Sequence, residues 1–218
     1  MAYLSKMTEM KWGEYPVYVR DGRGDQDVCN EVMGSDCYGL RGFTTTPQTI
    51  LDVGSHIGTF ICHAKSIWPE ATIYGFEPLL ENYRMLQINT CFFTGVHIYN
   101  TALVPVEAPT TGRLNIWTGN SGGNSLIWGD PLTNQSEPCT VTNPKDYDLP
   151  PHFDLVKFDC EGCETLLLPY LTQNYDIPLI VGEYHGAEAA NMLDTLLPNY
   201  TVVRAPGTGI ALFTAVKK

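Results

Sequence analysis

Four carboxylates stand at corresponding places in this sequence: Asp52 in "TILDV", Glu77 in "TIYGFEP", Asp159 in "FDLVKFD" and Glu183 in "PLIVGEY". Each lies at or near the end of a short apolar run, and Glu161 and His185 follow close behind the last two. Carboxylates so placed can accept hydrogen bonds from ligand hydroxyls, and a carboxylate or an imidazole there can take a proton from a reacting group. His185 has the most suitable ordinary pKa, about 6.5. The plainer reading is structural: Asp159 as a binding group only, Glu161 and Glu164 as first-turn acids of a helix, His185 as an ordinary hydrogen-bonded residue. The segment "ILDVGSHIGTF" at 50–60 adds a glycine turn between an apolar run and a helix. Such a turn brings backbone close to a ligand, and the candidates are a nucleotide-like cofactor, a phosphate or nothing.

The elements that must position these groups alternate. A strand at 49–53 is followed by helical spacing of Ile57, Phe60, Ile61, Ala64 and Ile67 before Pro69. A strand at 72–78, a helix at 79–93 and a strand at 96–103 complete βαβαβ. From about 104 to 150, Pro, Gly, Asn and Thr cluster around "RLNIW" and "CTVT", which reads as a hairpin-like insertion carrying a substrate loop, "GNSGGNSL", flanked by Trp117 and Trp128. The alternation resumes with a strand at 153–159, a helix from 162, a strand at 178–184 and a helix at 187–197. "YTVVRA" and "GIALFTAV", joined by "PGTG", close the chain as antiparallel neighbours. The expected fold is α/β, with a mostly parallel sheet whose strand ends carry the acids at a switch in strand order. We expect residues 1–45 to be an extension packed on the core and 46–218 a single domain.

Composition narrows the partners. Thirteen Lys and Arg against 24 Asp and Glu leave a net charge of −11, which disfavours a nucleic-acid partner. Charges interrupt the first 22 residues and no long apolar run exists, so we expect no signal peptide, no membrane span and a cytoplasmic location. The seven cysteines are an odd, scattered set. Cys160 and Cys163 form a C-x-x-C, but Asp159, Glu161 and Glu164 around it would raise a thiol pKa, so buried or incidental thiols are expected over a redox or zinc site.

The turn discriminates among cofactors. Glu77 lies 19 residues beyond Gly58, near the separation of about 20 at which an acid holds a ribose in dinucleotide sites. The G-x-G-x-x-G fingerprint is absent, however, and so is a P-loop Gly-Lys-Ser/Thr. A cofactor with a ribose and no phosphate suits the segment better, and S-adenosylmethionine is one: its cationic sulfonium tolerates an acidic strand edge, and Glu77 would accept both ribose hydroxyls.

With these residues in view, "ILDVGSHIGTF", "YGFEP" with Asn82 beyond it, "FDLVKFDCEGCE" and "LIVGEYH" resemble the FkbM-type methyltransferases, a group of class I S-adenosylmethionine-dependent enzymes typically assigned to O-methylation. The resemblance runs from about residue 17 to the final strand, and the D-x-E-G-x-E of Asp159, Glu161, Gly162 and Glu164 is its specific part. It implies a Rossmann-like class I fold with a seven-stranded sheet and an antiparallel last strand. It also implies that Asp52, Gly54, Gly58 and Glu77 line the donor; Ser55, His56, Thr59 and Asp159 complete the expected donor site. Ser55 and His56 replace the family's usual small polar pair, and Cys160 and Cys163 replace an apolar residue and an alanine.

The expected function is methylation of a hydroxyl on a small molecule or sugar, with Asp159, Glu161, Glu183 and His185 as the catalytic candidates. The same four could ligate a divalent cation, although the resemblance calls for no metal. His63 and His97 are expected to be structural. Two rivals remain: a nicotinamide-dependent oxidoreductase, and a non-catalytic Rossmann-like binding domain.

Overall fold

A computed structural model describes residues 6–12, 15–117, 120–127, 134–196, 198–205 and 209–218. Trp128 and the turn at 206–208 lie outside them. The chain opens with a hairpin of β1 (Met7–Trp12) and β2 (Tyr15–Arg20), followed by the short helix α1 (Asp25–Cys29), a π turn (Asn30–Gly34) and a 3-10 turn (Leu40–Gly42). Asn89 docks the hairpin by accepting from the Tyr18 N–H at 2.7 Å and donating to the carbonyls of Tyr18 and Ile57.

Next come β3 (Thr49–Val53), α2 (Thr59–Ile67), β4 (Thr72–Phe76), α3 (Leu80–Thr90) and β5 (Val96–Tyr99). Then β6 (Ala102–Leu103), β7 (Thr110–Asn115) and β8 (Ser136–Thr142) form a separate three-stranded sheet in the order β6-β8-β7. The chain ends with β9 (Leu155–Phe158), α4 (Glu164–Asn174), β10 (Leu179–His185), α5 (Gly186–Leu196), β11 (Tyr200–Arg204) and β12 (Ile210–Lys217).

The central sheet runs β11-β12-β10-β9-β3-β4-β5, with β12 alone antiparallel to its neighbours. All four residues of β9 and the last four of β3 are buried, because helices cover both faces; this is why those segments read as apolar runs without alternation. One core gathers Phe153, Phe158, Leu167 and Leu171 on one side of the sheet, and another gathers Ile50, Ile61, Ile73 and Leu86 on the other. Val17 and Val19 of β2 belong to the second. The insertion has its own small core of Leu114, Ile116, Cys139 and Val141.

The continuous strand expected over 96–103 is divided between the two sheets. Asn100 causes the break: its Nδ2 donates to the carbonyls of Glu77 and Pro78, at 2.9 and 3.1 Å, and turns the chain away after Tyr99. The helix expected from 162 starts at Glu164 and runs to Asn174, carrying Pro169 inside it.

Candidate functional site

The order of the strands reverses between β3 and β9, and the site grows from their carboxyl ends. Gly54, at φ 81, turns the chain off β3 where a side chain cannot be accommodated: a Cβ there would collide with the Asp159 carbonyl oxygen. The glycine is thus demanded by β9 as well as by any ligand. Gly58, at φ 92, opens α2, and a Cβ there would lie 2.9 Å from Leu86 Cδ1. The N–H groups of Gly54 and Ser55 both donate to the Phe76 carbonyl at 3.0 Å, so the turn is stitched to β4.

Glu77 completes the stitching. Its Oε2 accepts from the His56 N–H at 2.9 Å and its Oε1 from the Leu79 N–H at 2.9 Å, with Asn82 Nδ2 at 3.4 Å. The carboxylate is buried, and that burial pushes its pKa up to about 7 in spite of these donors.

Asp52 occupies a different position. It is fully buried beneath the turn, 3.2 Å from Lys157 Nζ, which also donates to the Gly54 carbonyl at 2.6 Å. Burial raises the Asp52 pKa while Lys157 pulls it down; the lysine, disfavoured by its own burial, is held charged by Asp52 and Asp159. The Asp52–Lys157 contact is an ion pair that is not aligned as a hydrogen bond.

A cleft opens above the turn, lined by Gly54, Ser55, His56, Glu77, Asp159 and Glu161 among others. Thr59 and Glu183 also reach it, whereas Asp52 and Gly58 lie behind its wall. Tyr38, unforeseen from the sequence, donates from its hydroxyl to Asp159 Oδ2 at 3.1 Å. The segment 120–124 crosses the cleft, contributing Asn120, Ser121, Gly122 and Asn124. It is tied down by the Ser121 N–H to the Arg23 carbonyl at 3.0 Å and by Asn82 Nδ2 to the Ser121 carbonyl at 2.9 Å.

His185 ends β10 and faces a neighbouring cleft shared with Glu161 and Trp117. Its Nδ1 lies 3.0 Å from Glu164 Oε1, and its Nε2 lies 3.3 Å from Glu161 Oε2 and 3.5 Å from Glu183 Oε2. Burial alone would lower its pKa, but hydrogen bonds to Glu164 and Glu183 and the charge of Glu161 raise it to about 11. His185 is therefore an imidazolium at neutral pH, not a group titrating near 6.5. Glu161, at φ 50, is pushed up to about 8 by burial and by its acidic neighbours, against the pull of His185. Ligand atoms of Asp159, Glu161 and His185 lie within 4.8 Å of one another, a grouping that could hold a divalent cation only if His185 gave up its proton.

Cys160 is partly buried and Cys163 buried, both are free thiols, and a hydrogen bond that the Cys160 S–H donates to Cys163, together with burial, raises the Cys160 pKa well above its ordinary value. His63 is buried against Asp36 at 2.8 Å, and His97 stacks on Tyr74. Lys157 had a signal in the sequence, a cation inside the apolar run "LVKF". Ser121 had one too, since it lies in the loop "GNSGGNSL". Tyr38, Arg20 and Asp25 had none, since nothing in their own stretch of chain points to the partners they meet across the fold.

No family model matches the chain. It is 25% identical over 122 residues to Methyltransferase 1 of Beauveria bassiana, a match covering 54% of this chain and 46% of that protein, so the chain spans about half the length of this curated relative. Among solved structures it resembles M. jannaschii TYW2 in complex with AdoMet, with a TM-score of 0.56 and 12% identity over 100% of this chain and 90% of that one. It also resembles the precorrin-6y C5,15-methyltransferase of Geobacter metallireducens, with a TM-score of 0.52 and 14% identity over 91% and 93%. The fold is the Rossmann-like class I methyltransferase fold, a mainly parallel sheet flanked by helices and closed by one antiparallel strand.

Proposed function

We propose that this protein is an S-adenosylmethionine-dependent methyltransferase of the FkbM type that methylates a hydroxyl of a small molecule or sugar. The observation that carries the reading is the buried Glu77 carboxylate, held at the end of β4 by the N–H groups of His56 and Leu79 beside a glycine turn without phosphate-binding spacing. Such a carboxylate suits a ribose, and the absence of a phosphate cradle suits this donor over a dinucleotide. When bound, S-adenosylmethionine supplies an electrophilic methyl group on a positively charged sulfur. Glu77 would hold the ribose, and the Gly54–Gly58 turn would receive the amino-acid end. The net charge of −11 supports a small acceptor over a nucleic acid. No helix among the described residues is long and apolar enough to cross a membrane.

The strand order favours this reading over an oxidoreductase. Dinucleotide-binding sheets are mostly parallel and run 3-2-1-4-5-6, whereas here the antiparallel β12 is inserted between β10 and β11. Calorimetric titration should therefore give micromolar binding of S-adenosylhomocysteine and none of NADH. Binding of NADH alone would replace the methyltransferase reading with the oxidoreductase one, and binding of neither would favour a non-catalytic domain.

The acceptor proton requires a base. His185 is protonated at neutral pH, which leaves Glu161, shared by both clefts, as the group whose basicity suits a hydroxyl. Asp159 and Glu183 would orient the acceptor. The rate of methyl transfer should rise nearly tenfold per pH unit below about 8, as the Glu161 carboxyl ionises, and then level off. Glu161→Gln should lower kcat by about 10²–10⁴ and remove that inflection, read as single-turnover rates against pH. An unchanged profile in the variant would exclude Glu161 as the base.

A further inference from the structure

Behind the turn, a polar network joins the N-terminal segment to the segment that crosses the cleft, and its hydrogens can be placed one by one. Ser121 Oγ lies 2.7 Å from Asp25 Oδ1, 2.7 Å from His56 Nε2 and 3.2 Å from Arg20 Nη2. The Asp25 carboxylate is ionised: burial opposes this, but the hydrogen bonds and charge of Arg20 hold its pKa below the ordinary value. An ionised carboxylate only accepts, so the single hydroxyl hydrogen of Ser121 goes to Asp25. Arginine only donates. The two hydrogens of Arg20 Nη2 have nearer acceptors in Asn82 Oδ1 at 2.8 Å and Asp25 Oδ1 at 2.9 Å, so its 3.2 Å contact to Ser121 is a shared, weaker one. The hydrogen that the serine oxygen receives at 2.7 Å therefore comes from the ring, and His56 carries its proton on Nε2.

Burial lowers the His56 pKa to about 4, so the ring is neutral and holds no second proton. Nδ1 is then a bare lone pair. It is buried, and among the described residues it has no hydrogen-bond partner. The residue is 8% exposed and lines the same cleft as Glu77, whose Oε2 accepts from its backbone N–H. A buried acceptor of this kind costs stability unless something donates to it.

We propose that His56 is a ligand-binding residue, its Nδ1 accepting a hydrogen bond from an N–H or O–H group of the bound methyl donor, and that Asp25 and Ser121 act as positioning residues that lock the tautomer this requires. The inference rests on the methyltransferase reading. The shared chemistry is a hydrogen-bond donor on the ligand: either the α-ammonium of the amino-acid end or a ribose hydroxyl. An imidazole at this place also repels a second acceptor, so a ligand presenting only a carboxylate or phosphate oxygen to Nδ1 would be disfavoured.

The test compares wild type, His56→Leu and His56→Asn by calorimetry with S-adenosylhomocysteine and with 5′-methylthioadenosine, which lacks the amino-acid end. Asparagine tolerates the positive φ of 52 at this position and can offer its carbonyl oxygen where Nδ1 stood. His56→Leu should weaken S-adenosylhomocysteine about tenfold or more, and His56→Asn should recover most of that loss. If methylthioadenosine is insensitive to His56→Leu, the contact is to the α-ammonium; if it weakens equally, the contact is to the ribose. Nitrogen-15 NMR of the histidine ring in the wild-type protein should show a protonated Nε2 and a bare Nδ1 across pH 6–8. The opposite tautomer, unchanged affinity in both variants, or an asparagine variant as weak as the leucine one would overturn the inference while leaving the methyltransferase reading standing. No binding of S-adenosylhomocysteine by the folded wild type would overturn both.

Discussion

Glu77→Ala should weaken S-adenosylhomocysteine binding by at least about 100-fold, a loss of about 2.7 kcal/mol. Two effects add. The ribose loses a charged acceptor, and hydrogen bonds to charged groups contribute about 1.5–3 kcal/mol. The His56 and Leu79 N–H groups also lose their partner, so the turn that shapes the cleft loosens at the same time. Glu77→Gln separates the two contributions, since it keeps an oxygen for one N–H while turning an amide toward the other. The wild-type pH dependence carries a further signature. Burial places Glu77 at about 7, and ribose hydroxyls favour its ionised form. Affinity should therefore rise from pH 6 to pH 8, with a proton released on binding near and below pH 7, read by calorimetry in buffers of different ionisation enthalpy. Binding that is independent of pH and intact in Glu77→Ala would place the ligand elsewhere.

What the sequence made legible follows from periodicity and turn chemistry. Buried strands such as "TILDV" and "LVKF" announce themselves because both faces are covered, and a turn that needs positive φ at Gly54 and Gly58 has few residue choices. That Glu77 stands beside the turn was readable from its spacing to it. The role of Asp52 was not, since it depends on a register that pairs Asp52 with Lys157 across β3 and β9, a contact between residues 105 positions apart. Nor could the state of His185 be read from its type. Glu161, Glu164 and Glu183 reach the ring from two separate stretches of chain, and only their convergence raises its pKa so that the ring is protonated at neutral pH. The division of 96–103 between two sheets was hidden because alternation continues across the break at Asn100, whose side chain makes the turn.

The segment least legible in sequence carries the largest expected effect on stability. Asp25→Ala should destabilise the fold by about 3–5 kcal/mol, the cost of leaving a buried charge without its partner. Arg20 is 4% exposed, and its Nε and Nη2 meet the two oxygens of Asp25 at 2.8 and 2.9 Å, with the Arg20 N–H on the same carboxylate at 2.9 Å. Its remaining contacts, Asn82 Oδ1 at 2.8 Å, Ser121 Oγ at 3.2 Å and the half-exposed Glu81 at 3.4 Å, do not replace a bidentate carboxylate. Urea denaturation should show the midpoint fall by about 1 M or more at unchanged slope. The pH dependence follows from the depressed Asp25 pKa. This contribution is present above the unfolded pKa of about 3.9 and is lost as pH falls through the folded value. The gap between wild type and Asp25→Ala should therefore be full at pH 6 and narrow below pH 4. A small, pH-independent gap would mean that Arg20 finds adequate partners in Asn82, Ser121 and Glu81. The same carboxylate orients Ser121, and through it His56, so this pair links the stability of the N-terminal segment to the shape of the candidate donor site.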